Sequence, residues 1–302
     1  MTATGTARIS LSKAIGWTIA FVLLGTLLSV LIALGYALLA YGGLAAGVEG
    51  LRHTTPANVL AQGMAGVVAF GAATWAIGVR GAALTPADLR WRAGDEGRGA
   101  GWGLVGGALP AGLALALGAL VGGAEWMPDG GTFGDWLGAV GVTSLVLAPA
   151  AFAEELMFRG VPLVLLAAVI GRWPAAVLLS AAFALAHLGN PGIGGLALLN
   201  IGLAGILLSA AFWAPGGLWT AFGVHLGWNA TLAALDAPVS GLPFRIPFLD
   251  YDPGGPPWLT GGRFGPEGGL TATLALSLAT AALALAVGRS SRQQFRTHKE
   301  QA

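Results

Sequence analysis

Apolar positions in this chain gather into long runs instead of recurring at helical or alternating spacing. The runs fall at about 14–40, 57–79, 101–122, 136–158, 173–189, 196–213, 217–235 and 269–287. Crossing a membrane takes roughly 17–25 mainly apolar residues. The pattern therefore predicts eight transmembrane helices, with seven as the alternative because the run at 173–189 is close to the short limit. Apolar sequence continues past Arg159 through Val161–Ile170, interrupted only by Gly160 and Pro162, so one long, bent fourth helix is expected there. Pro238 to Gly268 is rich in Gly and Pro and has no periodicity, which predicts an extended surface loop. Three segments follow: N-terminal helices one to three over 1–135, a core of helices four to seven over 136–235, and an outer loop, last helix and basic tail over 236–302.

Composition supports this pattern. Of the 302 residues, 55% are hydrophobic and 10% charged, against about 25% charged in a soluble domain. The fold class expected is an all-α polytopic transmembrane bundle. A net charge of +1 and the absence of a basic run give no reason to expect a nucleic-acid partner; the lipid bilayer is the partner implied. With no cysteine, disulfides, thiolate metal sites and a Cys nucleophile are excluded. The 50 glycines are dispersed among Ala, Ser and Thr inside the apolar runs, as close helix packing in lipid requires.

Charge asymmetry sets an expected orientation. The apolar run from Ala14 to Ala40 is much longer than a signal-peptide core of about 7–15 residues, and it reads as an uncleaved first helix. Placing the N-terminus in the cytoplasm puts Arg8, Lys13, Arg80, Arg90, Arg92, Arg98, Arg172, Arg289, Arg292, Arg296 and Lys299 inside. Only Arg52, Arg245 and Arg263 are then outside. A multi-pass protein of the cell membrane with both termini cytoplasmic is expected, and the compact, cysteine-free style suggests a bacterial one. Trp17, Trp102, Trp136, Trp173 and Trp219 fall near helix ends, where interfacial aromatics belong. No run outside the helices is long enough to form a soluble catalytic domain, so any chemistry must occur within the bundle.

The remaining basic residue, Arg159, lies in the membrane with Glu154 and Glu155. Each charge at a helix centre costs roughly 2.5–3.5 kcal/mol, and an intramembrane ionisable cluster is by default a candidate functional site. Glu155 and Arg159 are four apart, share a helix face and are spaced for an ion pair; Arg is suited to hold a carboxylate in a bidentate fork. Glu154 is turned about 100° away and has Met157 and Phe158 at i+3 and i+4. Glu154 is thus the candidate general base and Glu155–Arg159 the supporting pair, with Pro149 placed to kink the helix just before them. The bland alternative is an interhelical clasp without chemistry.

Two histidines lie in later apolar runs. His187 follows Phe183 at i+4, so Phe183 can wall its pocket; the plain alternative is a histidine near a helix end bonded to a carbonyl. Depth favours the pocket: Glu154 is 18 residues before Arg172 and His187 is 15 after it, roughly 27 and 22 Å along antiparallel helices. His225 and Asn229 form a second i, i+4 pair, costly in lipid without partners. Asn200, alone in its helix, is expected only to make an interhelical hydrogen bond.

Together these groups suit hydrolysis. A carboxylate and a histidine can orient and deprotonate a water, and a second histidine with an amide can stabilise an oxyanion. Equally, Glu154, His187 and His225 make a His₂Glu set able to hold Zn²⁺ with an open water position, although the His-Glu-x-x-His signature is absent. Two other readings use the same residues: a proton- or ion-coupled transporter with Glu154, His187 and His225 as a relay, and a non-catalytic membrane scaffold or immunity-type protein. A transporter would be expected to show an internal repeat, and none is evident.

Glu154-Glu155-x-x-x-Arg159, Phe183-x-x-x-His187 and His225-x-x-x-Asn229, in this order on separate helices, resemble the CPBP family. These are the CAAX-protease and bacteriocin-processing intramembrane endopeptidases, also called the Abi family. The similarity covers about 136–235. It implies an eight-helix protease with its site in a membrane cavity, cleaving a membrane protein or peptide. It also implies that Glu154 and His187 activate water while His225 and Asn229 form the oxyanion hole. Family members are described both as glutamic and as metallo-proteases, so the resemblance leaves zinc open. One departure stands out: many relatives carry basic residues after the Arg-Gly, whereas Val161–Ile170 is wholly apolar. Bacterial relatives usually process something other than prenylated proteins, and no prenylated substrate is expected.

Overall fold

The computed structural model describes residues 9–53, 55–91 and 94–300, the last fourteen of these by backbone alone. Arg8 and Arg92, and the side chains of Arg289, Arg292, Arg296 and Lys299, all used in the orientation argument, lie outside that description. The protein is an all-α membrane bundle. Five helical stretches are long and apolar enough to cross a bilayer: Leu11–Tyr41, Pro56–Gly81, Glu96–Gly122, Phe133–Ile170 and Gly195–Trp213. Two shorter apolar helices, Arg172–Ala186 and Leu270–Ala286, and the helix Leu218–Ala234 lie at the other expected runs.

The chain divides into two compact units, with two of the three divisions falling inside helices. One unit comprises Met1–Trp91 and Gly141–Leu179, the other Arg92–Val140 and Ser180–Ala302.

In the first unit, α1 (Leu11–Tyr41) starts at Ser10, whose hydroxyl accepts from the Lys13 amide, and stops at Gly42 in the left-handed region at φ 73°. A short helix not foreseen from the sequence, α2 (Leu44–Leu51), leads to α3 (Pro56–Ala73), which continues as a π-helical stretch through Gly81. The buried Asn58 ties this region together: it donates to the carbonyls of Gly50 and His53 and accepts from Tyr41 at 2.8 Å. Helix α5 (Phe133–Arg159) carries the acidic pair, and a Cβ on Gly63 of α3 would sit 2.7 Å from the Ala150 nitrogen. Only glycine permits so close an approach. Beyond Arg159 the helix breaks at Gly160 (φ −77°, ψ −123°) and resumes as α6 (Val161–Ile170). The expected long helix is therefore interrupted where Gly160 and Pro162 weaken it.

In the second unit, α4 (Glu96–Gly122) and α9 (Leu218–Ala234) pack backbone to backbone. A Cβ on Gly107 would fall on the Val224 carbonyl, and one on Gly227 would fall on the Leu104 carbonyl. This contact fixes the rotation of α9. Its Gly223/Gly227 edge faces α4, and residues two positions away, including His225 and Asn229, point roughly 160° away from it. The C-terminal end of α9 is closed by two indoles: Trp126 Nε1 donates to the Leu235 carbonyl and Trp136 Nε1 to the Ala234 carbonyl, both at 2.8 Å. Helix α8 (Gly195–Trp213) packs beside α9, and the last helix, α11 (Leu270–Glu300), packs against α8 and α4.

The segment expected as an extended surface loop is more ordered than that. Strand β2 (Leu249–Asp252) pairs antiparallel with β1 (Glu125–Pro128), placing Trp126 opposite Tyr251. A short helix α10 (Pro257–Thr260) and two 3₁₀ turns at Gly262–Phe264 and Pro266–Gly268 then return the chain to α11.

Candidate active site

The first unit holds Glu154, Glu155 and Arg159. Glu155 and Arg159 are 0% and 1% exposed, and Arg159 Nη1 donates to Glu155 Oε1 at 3.2 Å. The i, i+4 spacing makes this pair possible on one helix face. Burial makes it necessary, because either charge alone would be stranded. Glu154, one residue earlier, is half-buried on the same helix.

The second unit holds His187, His225 and Asn229, which line one cavity. Its volume is about 30 Å³, counted as space open to the centre of a water molecule, and a single water needs about 10–15 Å³ on this measure. Ile201, Leu207, Leu208, Val224 and Leu276 make its apolar wall. Its polar side consists of the two histidines, Asn229, Ser240 and Glu267.

Helix α7 (Arg172–Ala186) ends just before His187, which sits in the following turn. The His187 ring packs 4.6 Å from Phe183, and Phe183 meets His225 edge-on at 6.0 Å, so one phenyl ring packs against both imidazoles. His187 Nδ1 lies 2.7 Å from the Phe183 carbonyl oxygen. A carbonyl only accepts, so Nδ1 carries the proton and Nε2 is the nitrogen that bears the lone pair in the neutral ring. The bond to a carbonyl is thus present, and it also selects the tautomer. The turn itself is held by Asn190, whose Nδ2 donates to the Ser240 carbonyl at 2.9 Å. His225 is 8% exposed and Asn229, one helical turn on, is half-buried.

Glu267 does not stand out in the sequence. It lies in the Pro266–Gly268 turn, outside the membrane-spanning helices, yet it is 6% exposed and lines the cavity. Trp228 Nε1 donates to Oε1 at 3.1 Å, while the Ser240 amide and hydroxyl both donate to Oε2. Burial pushes its carboxyl above the usual carboxylate range, opposed by the Ser240 hydrogen bonds, the nearby His187 and the Trp228 indole. Its backbone is fixed from α8: Asn200 Nδ2 donates to the carbonyls of Glu267 and Gly269 at 2.8 and 2.9 Å and accepts from Thr273 at 2.7 Å. Asn200 makes the interhelical bonds expected of it and also anchors the turn that carries Glu267.

Among the described residues, no group of three or more His, Cys, Asp or Glu side chains is disposed to hold a metal ion.

Residues 136–231, about a third of the chain, match the family described as type II CAAX prenyl endopeptidase Rce1-like. The matched segment contains Glu154, Glu155, Arg159, His187, His225 and Asn229, and ends before Ser240 and Glu267. No curated protein and no solved structure matches the chain. The match supports the CAAX-protease family and, with it, a protease of the membrane.

Proposed function

We propose that this chain, whose residues 136–231 are of the CAAX-protease family, is an intramembrane endopeptidase that cleaves a membrane-associated protein or peptide. Glu154 and His187 activate water: the carboxylate takes the proton as the oxygen attacks the scissile carbonyl, and His187 orients the water through Nε2. His225 and the Asn229 amide donate to the oxyanion of the tetrahedral intermediate. The intermediate then collapses, the C–N bond breaks, and the proton held by Glu154 passes to the leaving amine. Glu155 and Arg159 hold the helix that carries Glu154. The substrate reaches the site from the bilayer, and both chain termini are cytoplasmic.

The observation that carries this reading is the cavity lined by His187, His225 and Asn229 together, with the His187 tautomer set by the Phe183 carbonyl. A relay or a clasp gives no reason for the Asn229 amide to share that cavity with both imidazoles. The test is to map new protein N-termini in native membranes from cells expressing the wild type, Glu154→Gln or His187→Ala at equal abundance. Cleavage sites seen with the wild type and lost in both variants are expected. An identical set of N-termini in all three would overturn the proposal.

A further inference from the structure

Glu267 is a buried carboxylate at the site, outside the segment that matches the protease family. It links four parts of the second unit. Oε1 takes the Trp228 indole proton from α9, and Oε2 takes two protons from Ser240. Asn200 of α8 holds the Glu267 and Gly269 carbonyls, and Thr273 of α11 bonds Asn200 in turn. Trp228 immediately precedes Asn229 and is three residues after His225. A constraint on its indole therefore constrains the edge of α9 that presents both oxyanion donors. Glycine contacts with α4 hold the opposite edge.

We propose that Glu267 is a positioning residue of the active site, a carboxylate from the outer segment that clamps Trp228 and so aims His225 and Asn229 into the cavity. This rests on the endopeptidase reading above. The clamp needs a carboxylate. Its two oxygens accept three hydrogen bonds, and a glutamine of the same shape offers one oxygen and turns its NH₂ toward a donor.

The substitutions to compare are Glu267→Gln and Trp228→Phe, which break the same arm, and Ser240→Ala, which removes one of two donors on the other arm. In cleavage assays of the full chain in lipid nanodiscs, Glu267→Gln is expected to lower kcat at least 10-fold with KM within twofold. Trp228→Phe is expected to lower kcat similarly, and the double variant to be no worse than Glu267→Gln alone, because residues acting through one contact are non-additive. Ser240→Ala keeps the backbone amide donor to Oε2 and should lower kcat less than Glu267→Gln does. A Glu267→Gln enzyme with more than half the wild-type kcat, a loss expressed in KM alone, or multiplicative losses in the double variant would overturn the proposal.

A second readout does not depend on protease activity. The chain has no cysteine, so Asn229→Cys creates a single thiol whose alkylation by a small reagent reports how that position faces the cavity. Adding Glu267→Gln is expected to change the alkylation rate at least threefold. An unchanged rate overturns the positioning role even if cleavage is confirmed. A changed rate in a protein that cleaves nothing upholds the clamp and overturns the endopeptidase reading instead.

Discussion

Replacing Glu155 by Gln tests the buried ion pair directly. The two side chains are 0% and 1% exposed and 3.2 Å apart, so bulk water cannot screen the charge left on Arg159. Removing one partner of such a pair costs about 3–5 kcal/mol, whereas replacing both by apolar residues of similar volume is often neutral. Glutamine keeps one acceptor near Arg159 Nη1, so the loss reports charge more than shape. Taking about 2–4 °C per kcal/mol for a domain of this size, the melting temperature should fall by roughly 6–20 °C. Thermal unfolding in nanodiscs, followed by tryptophan fluorescence, measures it. The companion is Glu155→Gln combined with Arg159→Met, which removes the stranded cation and should recover at least half of the loss. A Glu155→Gln protein melting within 2 °C of the wild type, or a double variant less stable than the single one, would refute the argument.

Three further outcomes follow from the geometry. Asn200→Ala removes the amide donor from the buried Glu267 carbonyl, one of the donors to the Gly269 carbonyl and the acceptor of the Thr273 hydroxyl, and should cost about 1–3 kcal/mol, read by the same unfolding assay. His225→Ala and Asn229→Ala should each lower kcat by about 10²–10³, the usual cost of one oxyanion donor, with folding intact by size-exclusion chromatography. Cleavage should survive exhaustive chelation followed by metal analysis that finds less than one-tenth equivalent, because the proposed steps use only side chains to activate water and hold the oxyanion; loss of activity restored by added Zn²⁺ would contradict this.

Helix positions were legible because in a membrane length and apolarity nearly determine them; Gly160 and Pro162 marked the weak point of the fourth helix, but the sequence predicts a bend there and the structure has a break into two helices. The Glu155–Arg159 spacing likewise gave the pairing on one helix face. Features governed by tertiary contacts were not legible. The α2 helix depends on Gly47 fitting against Ala37, and the β1–β2 ribbon joins segments more than a hundred residues apart. Glu267 looked like an ordinary solvated acid in a Gly- and Pro-rich stretch. Its burial follows from Asn200, which pulls the backbone of residues 267–269 onto α8. A signal existed: a lone asparagine in an apolar helix and an indole beside Asn229 both require polar partners, and no neighbouring helix segment supplied them.

The central claim is that Glu154 and His187 together activate the hydrolytic water. The most direct measurement is single-turnover cleavage of a substrate, identified by N-terminal mapping, with purified protein in nanodiscs. Wild type, Glu154→Gln and His187→Ala should be compared at matched folding and substrate binding. Measurable peptide-bond hydrolysis by the wild type and at least a 10³-fold slower rate in each variant is the predicted result. Hydrolysis by Glu154→Gln within tenfold of the wild type would contradict the account.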